Sequence, residues 1–195
     1  YFKFDATSTG DGIMTLGSLT DNNTRFENGG SSTTFATPSN FGVPAGTGRW
    51  WLEFEVQGFN DQMQFGIMQA PFGWGPTAGT AMYRDATNTR ITKSGSNHDT
   101  TITAGGVTVV MDSADVFGLD FNSAAGTAVW YENGVVISHT AIGSLPTTGG
   151  DYLFFAQASS TGSIVKVRTH NLLRPGDQPA GSSLWKHTFT GTGNL

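Results

Sequence analysis

The sequence predicts an all-β antiparallel sandwich with very little helix. Apolar residues recur at every second position in most apolar segments, as in half-buried strands. Turn residues (Gly, Asn, Asp, Ser) separate those segments at short intervals. No stretch of about twelve residues carries apolar positions at i, i+3, i+4 and i+7 free of Gly, Pro or β-branched clusters. About ten short strands with turns between them are the pattern of a sandwich.

Ile13 to Leu19 and Thr33 to Ala36 are the first, weaker strand candidates. Arg49 to Val56 is the clearest strand. Trp50, Leu52, Phe54 and Val56 share one face and Trp51, Glu53 and Glu55 the other, so one side is expected to be buried. Gly58-Phe59-Asn60-Asp61 reads as a hairpin turn into a second strand, Met63 to Met68. Pro71-Phe72-Gly73-Trp74-Gly75-Pro76 is a loop, because its prolines and glycines oppose ladder pairing. Tyr83-Arg84-Asp85 and Ser96-Asn97-His98-Asp99 fall in an irregular region, interrupted by a short strand at Arg90 to Thr92.

Val107 to Met111 is apolar and β-branched. Val116 to Phe121 leads through a turn into Thr127 to Glu132. Asn133-Gly134 then closes a tight hairpin into Val135 to Ile137, since both central positions of such a turn need φ > 0. Tyr152 to Ala158 and Ser163 to Thr169 read as a last pair around Ser159 to Gly162. The Pro/Gly-rich stretch Arg174 to Gly181 reads as a boundary. It divides the chain into a sandwich over 1–173, a linker over 174–183 and a segment over 184–195. That last segment either pairs with this sheet or begins a following module.

The 195 residues suit one domain that buries a sizeable core. Only 13% of residues are charged while 12% are aromatic, which is the reverse of a disordered composition. The net charge is −5 and no Lys/Arg run occurs, so a nucleic-acid or anionic-membrane surface is not expected. No apolar run approaches the ~20 residues of a membrane-spanning helix. Cysteine is absent, which excludes disulfides, thiol nucleophiles and thiolate metal sites. The chain opens at Tyr1 without an initiator Met and closes in a Thr/Gly run, as a processed or excised chain would.

Four blocks, in order, resemble the SPRY domains. Gly48 to Val56 (GRWWLEFEV) resembles their early G-x-W-Y-x-E-V strand, and Met63 to Met68 (MQFGIM) the strand that follows it. Ser113 to Phe121 (SADVFGLDF) is similar to G-D-V-I-G-x-x-x-D, with Ser113-Ala114 where glycine is usual. Gly126 to Val135 (GTAVWYENGV) is similar to G-x-h-x-F-Y-x-N-G-V. The resemblance implies a concanavalin-like, jelly-roll type sandwich of two bent antiparallel sheets. It also implies a non-enzymatic binding module whose loops hold a partner. The Thr/Ser/Gly-rich, cysteine-free chain resembles SPRY-like modules of bacteriophage structural proteins. Phe4-Asp5 and Ile13-Met14-Thr15-Leu16 stand where such modules open, and Trp185 to Asn194 resembles the start of a neighbouring phage module.

Catalytic and metal patterns are sparse. Sandwich glucanases carry acids as E-x-D-x-x-E, with the working pair ~5–5.5 Å apart in retaining enzymes. Here Glu53-Phe54-Glu55-Val56-Gln57-Gly58 has Glu at the middle position and Gly58 in place of the third acid. Glu53 is therefore expected to bond inside the sandwich and Glu55 to be solvated. His98, His139, His170 and His187 have no zinc-binding spacing, and Asp112 and Asp115 read as turn residues. Neither a phosphate-binding glycine loop nor a G-x-S-x-G elbow occurs. No metal and no cofactor are expected.

The expected ligand face centres on Trp74 with Phe72, Tyr83, Arg84, Asn97 and His98, because rigid loops present aromatics at low entropic cost. Neutral glycans suit it, since stacking needs no charge. The expected function is a virion module of a phage tail fibre, tailspike or head decoration. Such a module works as a homo-oligomer whose partners are other virion proteins and/or a host-surface glycan. The alternatives are a secreted bacterial carbohydrate-binding or adhesin module, extracellular or at the cell surface, and a glucanase-like enzyme using Glu53 and Glu55.

Overall fold

The computed structural model describes residues 17–20, 25–28, 34–36, 42–60, 62–69, 78–85, 87–93, 96–99, 101–139, 144–159, 161–169 and 172–184. The strands are β1 (Gly17–Thr20), β2 (Arg25–Asn28), β3 (Thr34–Ala36), β4 (Arg49–Gly58), β5 (Met63–Met68), β6 (Gly79–Arg84), β7 (Thr89–Lys93) and β8 (Ser96–Asp99). Then come β9 (Thr103–Ala104), β10 (Val107–Thr108), β11 (Val116–Asn122), β12 (Thr127–Glu132), β13 (Val135–Ser138), β14 (Leu153–Ala158), β15 (Ile164–Arg168) and β16 (Ser183–Leu184). A 3-10 turn at Pro175–Asp177 is the sole helical element among the described residues. The fold is an antiparallel β-sandwich, as the alternation predicts.

The larger sheet runs β1-β2-β15-β4-β11-β12-β13-β9-β10, with β16 also on β4; the smaller runs β3-β14-β5-β6-β7-β8. β4 and β5 therefore lie in different sheets, and Gly58 to Asp61 is not the hairpin turn the sequence suggests. The core explains why. The apolar faces of the two strands point at each other, and the Phe54 and Phe65 rings stand 4.9 Å apart across the sandwich. β14 and β15 are parted in the same way, so Ser159 to Gly162 also connects sheets rather than closing a pair. The Asn133-Gly134 hairpin does form, with φ of 49° and 86° at its two residues. β2, β6, β8 and β9 are strands that the pattern does not reveal, because their sequences (RFEN, GTAMYR, SNHD and TA) are short or carry no run of alternating apolar residues.

Phe54, Phe65, Phe117 and Trp130 make the aromatic centre, and Phe121 packs on Tyr152 at 4.6 Å. Burying Trp130 is tolerated because its indole N–H donates to Thr80 Oγ1 at 3.1 Å. The outer face of the smaller sheet is buried too. Met68, Ala81 and Phe155 form a second apolar cluster there, and Gln64 donates to Gln157 across the β5–β14 pair.

The larger sheet is also covered on its outer side. Residues 172–184 cross that face as a strap. The Leu173 and Arg174 N–H groups donate to Glu53 at 2.7 and 3.2 Å, Arg49 donates to the Ala180 carbonyl, and β16 pairs in parallel with Trp50–Trp51. The expectation that β4 buries a single side is therefore corrected: Trp51 and Glu53, on its second face, are 1% and 0% exposed. Gly118 makes the room for Trp51, since a Cβ there would lie 2.2 Å from the indole ring.

Candidate binding surface

Strand ends fall at two ends of the sandwich. At one end, the loops 42–48, 123–126 and 144–150 meet the roots of the segment joining β5 to β6. The Gln69 N–H donates to the Ala78 carbonyl at 2.9 Å, which closes that segment's base. The Gln69 amide donates in turn to the Thr148 and Gly150 carbonyls at 3.2 and 2.6 Å. Ser123 is fully buried and ties two loops together: its hydroxyl donates to the Thr47 carbonyl, and its N–H to that of Gly48. Leu145 N–H donates to the Gly126 carbonyl, Val43 pairs with Tyr152, and the Tyr152 hydroxyl donates to the Pro146 carbonyl. These described loops are thus bonded to one another. Gln69 and Ser123 hold the arrangement, and nothing in their local sequence marks them, because their partners lie more than seventy residues away.

Phe72 and Trp74 belong to the segment rooted at Gln69 and Ala78, and they lie outside the described residues. Tyr83 and Arg84 are on β6 and Asn97 and His98 on β8, so these four stand on strands rather than in an irregular region. Register separates them. Asn97 lies across from Thr92 and Thr92 across from Ala81, near the loop-root end of β6. Tyr83 and Arg84 are at the opposite end of that strand, roughly 15 Å from Gly79 at ~3.3 Å per residue. Asn97 and His98 are thus nearer the Gln69–Ala78 root of that segment, whereas Tyr83 and Arg84 are at the other end of the strand.

At that far end Phe59 caps the core and the Arg84 guanidinium stacks on its ring at 4.1 Å. Arg90 lies over Tyr83 at 5.1 Å and pairs with Asp85, which also accepts the Thr87 and Asn88 N–H groups. This corner is a structural clasp around a tight turn.

The two acids of β4 are both engaged. Glu53 is buried beneath the strap rather than between the sheets, where it accepts two backbone N–H groups. Burial holds its carboxyl above the ordinary range, and those two N–H groups act in the opposite sense. Glu55 pairs with Arg168, on β15 beside it, instead of facing water alone. Asp112 and Asp115 do bracket a turn: the Asp112 N–H donates to Asp115 and the Asp115 N–H to the Asp112 carbonyl. No group of three metal-ligating side chains occurs among the described residues. His139 is half-buried, His98 is placed on β8 as backbone, and His170 and His187 lie outside the described residues.

Glu132, at the end of β12, is the acid furthest from its ordinary behaviour among the described residues. Burial first, and the neighbouring Asp115 second, push its carboxyl up to about 7. Its folded pKa is raised, so the stability it supports is fully present below about 4.5 and is lost as pH rises through about 7. Glu132→Gln should therefore raise the melting temperature at pH 8 by roughly 2–4 °C, for about 1 kcal/mol after allowance for solvent screening. The two proteins should melt together at pH 4, which thermal scans at the two pH values check.

No family pattern and no curated protein matches the sequence. Solved structures do match the fold. The SPRY domain of human HERC1 is similar over 87% of this chain and 99% of its own length, at 14% identity and a TM-score of 0.59. A second human SPRY domain is similar at 12% identity and a TM-score of 0.58, over 80% of this chain and 97% of that one. The PSpry domain of TRIM65 is similar at 13% identity and a TM-score of 0.56, over 87% and 92%. At these identities the likeness is one of fold: the chain is a SPRY-like β-sandwich.

Proposed function

We propose that the protein is a non-enzymatic structural and binding module of a virion, of the tail-fibre, tailspike or head-decoration kind. It presents the tied loop end of its sandwich to a neutral host-surface glycan or to a neighbouring virion protein. The observation that carries the binding part is the cross-bonding of the loops around Ser123 and Gln69. Loops held in one arrangement before a ligand arrives lose little entropy on binding. The segment with Phe72 and Trp74 is rooted in that arrangement, where stacking aromatics suit a sugar face. Engagement of Glu53 by the strap and of Glu55 by Arg168 supports binding over hydrolysis, since a catalytic pair must face its substrate. The virion setting rests on the Thr/Ser/Gly-rich, cysteine-free sequence and its phage-like blocks. Copies of the module act together, and symmetry multiplies weak loop contacts into avidity.

Glycan-array binding followed by calorimetry on Trp74→Ala tests this. Affinity should fall by ~1–3 kcal/mol with the melting temperature kept. A much lower melting temperature with unchanged affinity per folded molecule would make Trp74 a core plug. Reducing-sugar release from β-glucans that is abolished in Glu53→Gln would replace the binding reading with an enzymatic one.

A further inference from the structure

The hairpin between β12 and β13 turns through Asn133-Gly134, at φ of 49° and 86°. Asn followed by Gly is the pair that cyclises most readily, because no Cβ shields the following N–H. The sequence holds two such pairs, Asn28-Gly29 and Asn133-Gly134. At Asn133 the side-chain amide is held at both ends. Its Nδ2 donates to Asp115 Oδ1 at 3.0 Å, and its Oδ1 accepts the Val116 N–H at 3.1 Å. Its backbone N–H donates to the Val116 carbonyl at 2.8 Å. Asp115 is held in turn, since its Oδ2 accepts the Asp112 N–H at 2.7 Å. Against Gly134 lies the Asp177 carboxylate of the strap, 2.5 Å from where a Cβ would stand.

These bonds oppose cyclisation on two counts. Nδ2 is the atom that must leave, and Asp115 grips it. The imide ring also fixes ψ at Asn133 away from the ~30° of a type I′ turn, so the turn has to open first. Opening breaks few apolar contacts. Val135 and Val136, directly after the turn, are 45% and 52% exposed, and β13 pairs with β12 through Tyr131–Val136 and Glu132–Val135 alone.

We propose that Asn133 is a modification site gated by its own turn: closed, it keeps its amide; open, it deamidates. In the open state the Gly134 nitrogen bonds to Asn133 Cγ, and its proton leaves with Nδ2 as ammonia. Water then adds to one carbonyl of the imide and a ring C–N bond breaks, which leaves aspartate or isoaspartate. Neither product suits the closed turn. A carboxylate oxygen replaces the donor that faced Asp115, with Glu132 next in sequence and Asp177 against Gly134. Like charges repel there, as Asp115 already does Glu132. A chain that has opened at this turn is thereby marked permanently, and the strap loses part of its seat.

Peptide mapping by mass spectrometry, after incubation of the full chain at mildly alkaline pH, tests this. Conversion at Asn133 should be at least about tenfold slower in the folded chain than in the same chain in urea, because only the open fraction reacts. Asp115→Ala frees Nδ2 and should speed conversion in the folded chain by about tenfold. Ile67→Val, a buried change in the other sheet, lowers global stability and should leave the rate as it is. Equal rates in the folded and urea-unfolded chain would overturn the proposal. So would equal acceleration by the two variants, which would put the gate in global unfolding rather than in the turn. Asn133→Asp, one product made directly, should melt below the wild type. An unchanged melting temperature there would also overturn the proposal, since the closed turn would then accept the product.

Discussion

Phe65→Ala should cost about 3–5 kcal/mol of folding stability. Phe65 is fully buried on β5, and its ring meets Phe54 at 4.9 Å, Phe117 at 5.6 Å and Trp130 at 6.4 Å. Those three partners belong to β4, β11 and β12, all in the opposite sheet. One side chain thus joins the two layers at their centre, and removing it leaves a void that three rigid aromatic neighbours cannot fill. Urea unfolding should show the midpoint falling with the slope unchanged, because the native surface is the same. A loss below about 1.5 kcal/mol would mean that the layers are held together elsewhere.

Glu53→Ala should cost about 2–3 kcal/mol, by a different route. The carboxylate receives the Leu173 and Arg174 N–H groups and so pins the strap over Trp51. Without it those donors lose their acceptor, and the strap's hold on the outer face rests on β16, the Arg49 bond to Ala180 and the packing of Asp177 against Gly134. Hydrogen exchange at residues 173 and 174 should accelerate well beyond that of the core strands. The Glu53 carboxyl is held above its ordinary value chiefly by burial. Its stabilising contribution is therefore fullest below the unfolded pKa and declines as pH rises through the folded one. The gap between wild type and Glu53→Ala should narrow in that direction. Unchanged exchange in the strap would show that Glu53 does not hold it.

Much of the fold is legible in the sequence, and much less of the site. β5 and β12 fall on the residues that the alternation marks, and β4 and β11 differ only at their C-terminal ends. Val107 to Met111, apolar but for Thr108, gives only a two-residue strand before the chain turns inward, where the Met111 N–H donates to Thr89 Oγ1. Tyr83 and Arg84 look like loop residues because GTAMYR lacks a clean alternation; both sides of β6 are in use, with Met82 in the main core and Ala81 in the second cluster. The ties at Gln69 and Ser123 leave no local trace, since an amide or a hydroxyl becomes a clamp only when a distant carbonyl arrives beside it.

The sequence by itself determines where strands and tight turns form. Both depend on neighbours a few residues apart: apolar alternation suits a pleated surface, and Asn133-Gly134 accepts positive φ at low cost. Tertiary structure alone decides which sheet each strand joins and what covers its second face. β4 and β5 are parted because their apolar faces bury most surface against each other across the core rather than side by side. Glu53 and Trp51 are buried because a segment some 120 residues further on supplies the backbone donors and the cover. Such choices are set by contacts between distant residues, which no local pattern encodes.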